Sequence, residues 1–494
     1  MKVVLFGMNG SFSHTNLAIR CLREPLERAG FEVVLVEHTL RDRTAHILEH
    51  LYRENADIYG FSCYIWNIEP MLTLAQTLKS LLPGSKIVLG GPEVSYGLER
   101  FENASWIDAI VRGEGEEAML ALCQAIKEGN EYPRVSGGDA VTFSDAGVHY
   151  REGEETGGIL YYESSRGCPY SCAYCLSSAT HGVRFKSVEQ TLDELLEFER
   201  IHAKCKVIKF VDRTFNADVK RANAIWQALL DEKYTKSYHF EICATLLNEE
   251  SFDILSHFPK GKVQLEIGLQ STNPKTLAAS SRHIDAAKVI GAARRIREVG
   301  NVHVHLDLIA GLPHEDYKSF ARSFDDAYGS SDMLQLGFLK LLHGTELRAR
   351  AEEYEYRYLP TPPYTVLQSK WITYPEMQRL THMAEVLDRC LESGRFTHAL
   401  WHLTPLMSSP FHFWEGLSIY LEEHDPRPLQ RISQPDVFRY LLEYAAKVIE
   451  NIDVSTLKQM LAADFSQHEN KNPPTFLRKA DCSCNLLFFV ILIF

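Results

Sequence analysis

A chain of 494 residues, 45 % apolar and 24 % charged, is a folded globular protein with room for about three domains at roughly 150 residues each, which excludes disordered and fibrous classes. Its 52 basic and 65 acidic side chains give a formal charge of -13, which excludes holding nucleic acid by phosphate contacts alone. Eleven cysteines, three of them within residues 168–175, point to metal or redox chemistry in a reducing compartment rather than to disulfides.

The N-terminus, Met1 to His14, has no long apolar region and no small-residue cleavage site, so it reads as the first strand of a cytoplasmic protein. Short apolar runs at Lys2–Gly7, Phe31–Val36, Ala56–Ser62, Lys86–Gly91 and Ile107–Gly113 alternate with helical spacing such as Leu17–Ala29. Five such strands predict an α/β domain over residues 1–140, a doubly wound, Rossmann-like parallel sheet. Ligands of such sheets sit beyond the carboxyl ends of the strands, here Met8–Ser13, Ser62, Gly90–Glu93 and Gly113–Glu116. Glycines there permit close backbone approach to a large ligand, and equally serve as plain turn residues. No GxGxxG follows the first strand, which disfavours nicotinamide binding.

Just after an apolar strand at Ile159–Tyr162 comes CxxxCxxC, made by Cys168, Cys172 and Cys175. Three soft thiolates on one loop can hold three irons of a cubane and leave the fourth open. The alternative is a zinc site completed by His181 or another cysteine, although zinc sites usually pair separated CxxC units. Strand-like runs recur at 206–212, 238–244, 262–270, 302–310 and 333–341, predicting a partial (β/α)6 barrel over residues 155–345 with its motifs at the carboxyl ends of the strands. Glu352–Tyr374, rich in Tyr and Pro, reads as an irregular connector, and helices from Pro375 through Ile449 make residues 346–470 a helical region. The aromatic cluster of Trp401, Phe411, Phe413 and Trp414 reads as core. In the tail, 471–494, the apolar run Leu486–Phe494 falls short of the roughly 20 residues a membrane-spanning helix needs. With Cys482 and Cys484 before it, the tail could form a small metal or membrane-contact element, but the favoured reading is an atypical chain end unrelated to function.

The cysteine spacing, with Tyr174 before the last cysteine, resembles the radical S-adenosylmethionine (SAM) superfamily. The resemblance implies that Cys168, Cys172 and Cys175 bind a 4Fe-4S cluster whose open iron is chelated by SAM. It further implies that an external one-electron reductant of the flavodoxin or ferredoxin kind drives cleavage of SAM to methionine and a 5′-deoxyadenosyl radical. SAM-binding residues implied in the same way are Tyr174, then Asp212 and Arg213 in Val211–Phe215, where the usual small-Gly-Glu form is absent. Glu266, Gly268 and Gln270 follow in a strand that looks like ExGxQS, and Ile309, Gly311 and Leu312 in a loop that looks like the one backing the adenine.

A doubly wound domain directly before such a barrel resembles the cobalamin-binding class of the superfamily. That implies a corrinoid between sheet edge and barrel, held by loops containing Ser62, Gly90, Gly91, Glu93, Gly113 and Glu114. The DxHxxG segment that ligates cobalt in many cobalamin domains is absent, and the nearest histidine, His14, lacks its Asp and Gly. The helical region resembles an uncharacterised C-terminal region of some such proteins. The implied activity is cobalamin-dependent methylation or rearrangement at an unactivated carbon of a small-molecule or biosynthetic substrate. Two other readings stand beside it. The Glu266–Ser271 strand suggests methylthiotransferase-like RNA modification, against which the net charge and the lack of a basic C-terminal module count. A non-enzymatic zinc or corrinoid carrier is the other.

Overall fold

The structure, a computed structural model, describes residues 1–138, 149–154, 157–179, 182–202, 205–469 and 472–478. His181, Cys482, Cys484 and the apolar run Leu486–Phe494 lie outside them. The chain divides into two compact units, residues 1–316, 329–332 and 336–373 in one, and 317–328, 333–335 and 374–494 in the other.

The first unit begins with β1 (Lys2–Asn9), α1 (Leu17–Arg28), β2 (Glu32–Thr39), α2 (Thr44–Glu54), β3 (Ile58–Ser62), α3 (Ile68–Leu81), β4 (Lys86–Gly90), α4 (Pro92–Ser95), β5 (Ala109–Arg112), α5 (Glu116–Glu128) and β6 (Val135–Gly137). They form a six-stranded parallel sheet of order β2-β1-β3-β4-β5-β6. The strands are continuous apolar runs because helices cover both faces. In β1, Val4, Phe6 and Met8 enter one core while Val3 and Leu5 enter the other. The sixth strand goes beyond the five read from sequence, since Val135-Ser136-Gly137 is too short to show a period.

Next come β7 (Ile159–Tyr162), β8 (Ser165–Gly167), β9 (Val183–Phe185), α6 (Val188–Ile201), β10 (Val207–Phe210), α7 (Val219–Leu229), β11 (Ser237–Ile242), α8 (Glu249–Ser256), β12 (Val263–Gln270), α9 (Pro274–Ala279), α10 (Ala286–Val299), β13 (His303–Ala310), α11 (Tyr317–Ala327) and β14 (Met333–Phe338). The second sheet has the order β14-β13-β12-β11-β10-β7, the partial barrel expected. Its strands alternate with a period of two. Tyr238, Phe240 and Ile242 of β11 and Val263, Leu265, Ile267 and Leu269 of β12 are buried in the apolar layer, where Phe210, Phe215, Trp226 and Phe240 pack ring against ring. The intervening His239, Glu241, Gln264 and Glu266 point to the other face and keep partial exposure. After α12 (Glu346–Ala349), the connector carries a small antiparallel ladder, β15 (Arg357–Tyr358) with β16 (Val366–Gln368), rather than being wholly irregular.

The second unit is helical, with α11 joined by α13 (Tyr374–Leu387), α14 (Thr397–Leu403), α15 (Pro410–His424), α16 (Gln434–Val448) and α17 (Val454–Glu469). Phe411, Phe413 and Trp414 of α15 are buried as read from sequence, whereas Trp401 is 74 % exposed and leaves that core. Phe411 packs edge-on against Phe324, and Phe438 packs against Phe396 and Phe465. Among the described residues no helix is long and apolar enough to cross a membrane.

Candidate functional site

β8 and β9 pair antiparallel, with Ser165 opposite Phe185, Arg166 opposite Arg184 and Gly167 opposite Val183, so the cysteine segment leaves and rejoins one closed base. Gly167 sits at φ +99°, and a Cβ there would lie 2.2 Å from the Gly182 carbonyl oxygen, so the turn into the loop admits glycine only. None of Cys168, Cys172 and Cys175 is in a disulfide; Cys172 is buried and the other two are half-buried. The Cys175 amide donates to the Cys172 carbonyl at 3.0 Å. Cys168 Sγ lies 3.6 Å from Thr214 Oγ1, and Arg282 Nη1 donates to Cys172 Sγ at 3.7 Å. Burial pushes the Cys168 thiol up.

Arg282 was not legible in the sequence. It follows α9 in a stretch without motif, yet its Nη2 also donates to the Gly268 carbonyl at 2.6 Å, tying the end of β12 to the cysteine loop. Gly268 and Gln270 are themselves joined: Gln270 has φ +71° and folds its amide over Gly268, where a Cβ would meet Nε2 at 2.3 Å. Tyr174 stands beside Cys172 and Arg282, its hydroxyl pushed up by burial.

Adjacent Asp212 and Arg213 have different fates. Asp212 is fully buried, and its carboxylate accepts from Ser164 N (2.9 Å), Ser164 Oγ (2.7 Å) and Ser165 Oγ (2.5 Å). It braces the strand that leads into the cysteine loop and presents no free oxygen to a ligand. The Arg213 guanidinium is exposed and, among the described residues, has no hydrogen bond or ion pair, acting on Tyr64 and Glu241 by charge alone.

The polar face of the barrel sheet is lined with titratable groups. Glu266 lies 2.9 Å from His239 Nε2 and 3.4 Å from Lys209 Nζ, and His305 Nε2 lies 2.9 Å from Asp307. Burial favours the neutral acid of Glu266, but His239 and Lys209 outweigh it and bring the pKa down to about 2. Glu241, beside Glu266 in register, lacks so close a partner, and burial raises it to about 7. Ile309 is half-buried and Leu312 buried, and the Gly311 carbonyl accepts from Tyr356 at 3.0 Å.

At the carboxyl edge of the first sheet, Ser62 Oγ accepts from Asn16 at 3.4 Å, and the Gly90 carbonyl accepts from Cys63 N at 2.7 Å. Gly91, at φ +109°, would place a Cβ 2.5 Å from the Cys63 carbonyl oxygen. Gly113 N donates to Ser95 Oγ at 3.0 Å. Glu93 is buried and accepts from Tyr364 at 2.8 Å, and Glu114 is held by Arg166 and Arg184, so both carboxylates are engaged within the protein. His14 is engaged as well, with Nδ1 2.5 Å from the Tyr161 hydroxyl of β7. A feature not read from sequence is the stacked pair Tyr64 and Trp66, 4.4 Å between ring centres, with Trp66 half exposed just after β3.

Among the described residues no three His, Cys, Asp or Glu side chains converge as ligands of a single ion. A cubane is gripped at separate corners, and three thiols on one loop, none in a disulfide and with Arg282 beside one of them, suit that purpose. The glycine-shaped edge of the first sheet with its exposed indole suits a large flat ligand.

A family model described as B12 binding domain matches residues 6–123, and one described as Radical SAM superfamily matches residues 162–327. The chain is a radical SAM protein with a B12-binding domain. Its 4Fe-4S cluster, SAM and cobalamin follow from these two domains. A third model, described as a protein of unknown function (DUF4080), matches residues 352–486. This radical SAM protein is 25 % identical over 333 residues to an uncharacterized methyltransferase of Pyrococcus horikoshii, covering 61 % of the chain and 72 % of the relative. It is 26 % identical over 308 residues to the cobalamin-dependent radical SAM methyltransferase TokK of Streptomyces tokunonensis, covering 56 % of the chain but only 44 % of TokK. In fold it resembles the cobalamin-dependent SAM radical enzyme OxsB with aqua-cobalamin bound, with a TM-score of 0.63 at 16 % identity over 95 % of this chain and 84 % of that one.

Proposed function

We propose that this radical SAM protein is a cobalamin-dependent methyltransferase acting on carbon in a polar substrate. The observation that carries the reading is that one compact unit holds both a B12-type sheet edge and a CxxxCxxC barrel. When bound, the cluster supplies one-electron reduction of SAM, and a methylated corrinoid supplies the methyl group. In this reading Cys168, Cys172 and Cys175 hold the cluster while Arg282 and Thr214 fix two of the sulfurs. Tyr174, Arg213, Glu266, Gly268, Gln270, Ile309, Gly311 and Leu312 border SAM, and Asp212 orients the loop from behind. Ser62, Gly90, Gly91 and Gly113 shape the corrinoid edge, with Glu93 and Glu114 bracing it.

The polar lining supports the substrate class. Lys209, His239, Glu241, His305 and Asp307 would leave a purely hydrocarbon substrate facing desolvated charges, a cost of several kcal/mol. An external flavodoxin- or ferredoxin-like reductant and a reducing, cytoplasmic setting complete the proposal, since an open-cornered cluster and free thiols call for both. The B12-binding match does not favour RNA methylthiolation or a zinc carrier. The test is anaerobic reconstitution with iron and sulfide, incubation with hydroxocobalamin, and desalting. Iron near four per chain with retained corrinoid bands is expected, together with methyl transfer from labelled SAM into a polar acceptor. A cluster without retained corrinoid overturns the cobalamin assignment. Cys172→Ala is expected to drop iron content and bring SAM cleavage to background.

A further inference from the structure

Glu114 belongs to the first sheet's fifth loop, yet its carboxylate reaches the base of the cysteine loop. Arg166 Nη1 donates to it at 3.1 Å and Arg184 Nη1 at 3.0 Å, and Arg184 Nη2 makes a further, closer contact. Arg166 and Arg184 are register partners across β8 and β9, so two like charges stand directly opposite on adjoining strands, an arrangement that repels. Glu116 (2.8 Å) and Glu163 (2.7 Å) hold Arg166 as well, but Glu114 alone among these carboxylates is paired with both arginines. The side chains involved keep 11–29 % exposure, where solvent screens charge poorly. Burial favours the neutral acid of Glu114, yet the two guanidiniums hold it below the usual carboxylate range. Cys168 lies two residues beyond Arg166, immediately after Gly167.

We propose that Glu114 is a positioning residue for the iron-sulfur cluster: by neutralising the Arg166–Arg184 pair it fastens the base of the cysteine loop to the B12-binding domain and sets the charge the cluster senses. The inference rests on the reading of Cys168, Cys172 and Cys175 as cluster ligands. Removing the carboxylate's negative charge beside two cations favours the reduced, more negative cluster, so the midpoint potential rises. Without their shared carboxylate the repulsion between Arg166 and Arg184 across the ladder is no longer offset, the base of the loop loosens, and the cluster becomes easier to strip.

The test uses full-length protein reconstituted anaerobically, with neither SAM nor corrinoid added. Iron and sulfide content, loss of absorbance to a chelator, and the potential from an EPR-monitored redox titration are read for wild type, Glu114→Gln and Glu114→Asp. Glu114→Gln is expected to show a more positive potential and several-fold faster loss of iron, and Glu114→Asp, which keeps the charge, to return the potential toward wild type. Arg184→Gln removes a cation from the same pair and is expected to shift the potential the other way, which keeps the proposal testable if Glu114→Gln does not fold. An unchanged potential in both charge variants overturns the proposal, including the case in which iron is merely lost faster. A wild-type protein that takes up no iron overturns the cluster assignment beneath it, a distinct failure.

Discussion

At the scale of single residues, chemical type in the sequence does not determine use, and the neighbours decide it. Asp212 and Arg213 adjoin, yet one is spent on three internal donors and the other stands open to charge. Asp212→Asn is expected to cost roughly 2–3 kcal/mol, by weakening hydrogen bonds to a buried carboxylate, and to appear as a lower melting temperature of the metal-free protein. Glu241 behaves in the opposite way, because its folded pKa of about 7 lies above the ordinary 4.5. Burial comes first among the causes, Glu266 and Asp307 add to it, and Arg213 and Lys209 oppose it. The stability that goes with its neutral form is therefore intact below about pH 4.5 and is lost as the pH rises through about 7. Glu241→Gln is expected to melt higher than wild type at pH 8, by no more than about 3 kcal/mol, with the gap closing at pH 4.5; thermal melts at the two pH values check it. The cysteine triad was readable as a candidate ligand set because its three thiols lie within one short stretch of chain. Arg282 was not, because its role exists only once a separate segment folds back onto Cys172.

At the scale of elements, legibility followed length. The strands β10 to β14 announce themselves through a period of two, apolar toward the helices and polar toward the lumen, and continuous runs announce the doubly wound sheet. The strands missed, β6, β8, β9, β15 and β16, have two or three residues each and no room for a period. One of these omissions matters most, since β8 and β9 carry the cysteine loop. Gly167→Ala is expected to remove iron binding while circular dichroism keeps its barrel content, because the clash with the Gly182 carbonyl and the φ of +99° are confined to the hairpin. Retained stoichiometric iron in that variant would show that the loop closes by another route.

At the scale of the whole molecule, the compact units do not follow a single cut in the chain. The helical unit takes α11 from within the matched radical SAM region, and Phe320 and Phe324 of that helix are fully buried there. Deleting residues 374–494 therefore strips the cover from Phe324, whose ring meets Phe411, and exposes an apolar face. The truncated protein is expected to bind a hydrophobic dye strongly and to melt well below full length. A truncation that melts like the full chain would show that α11 is covered without the helical unit. Sequence patterning cannot reveal this, since a helix shows that it has an apolar stripe but not which distant helix covers it.

The closed base of the cysteine loop has a consequence for how the protein is made. A backbone ladder, not iron, brings the two ends of the segment together, so the entropy of loop closure is already met before any metal arrives. Uptake is then expected to require little reorganisation of the backbone at the base of the loop. An empty loop is open to oxidation as well: any two thiols that lose two electrons and two protons to an oxidant become a disulfide and cannot ligate iron. Chain that meets iron and sulfide before oxygen is therefore expected to carry more cluster than chain exposed to air first, which iron content after the two orders of treatment checks.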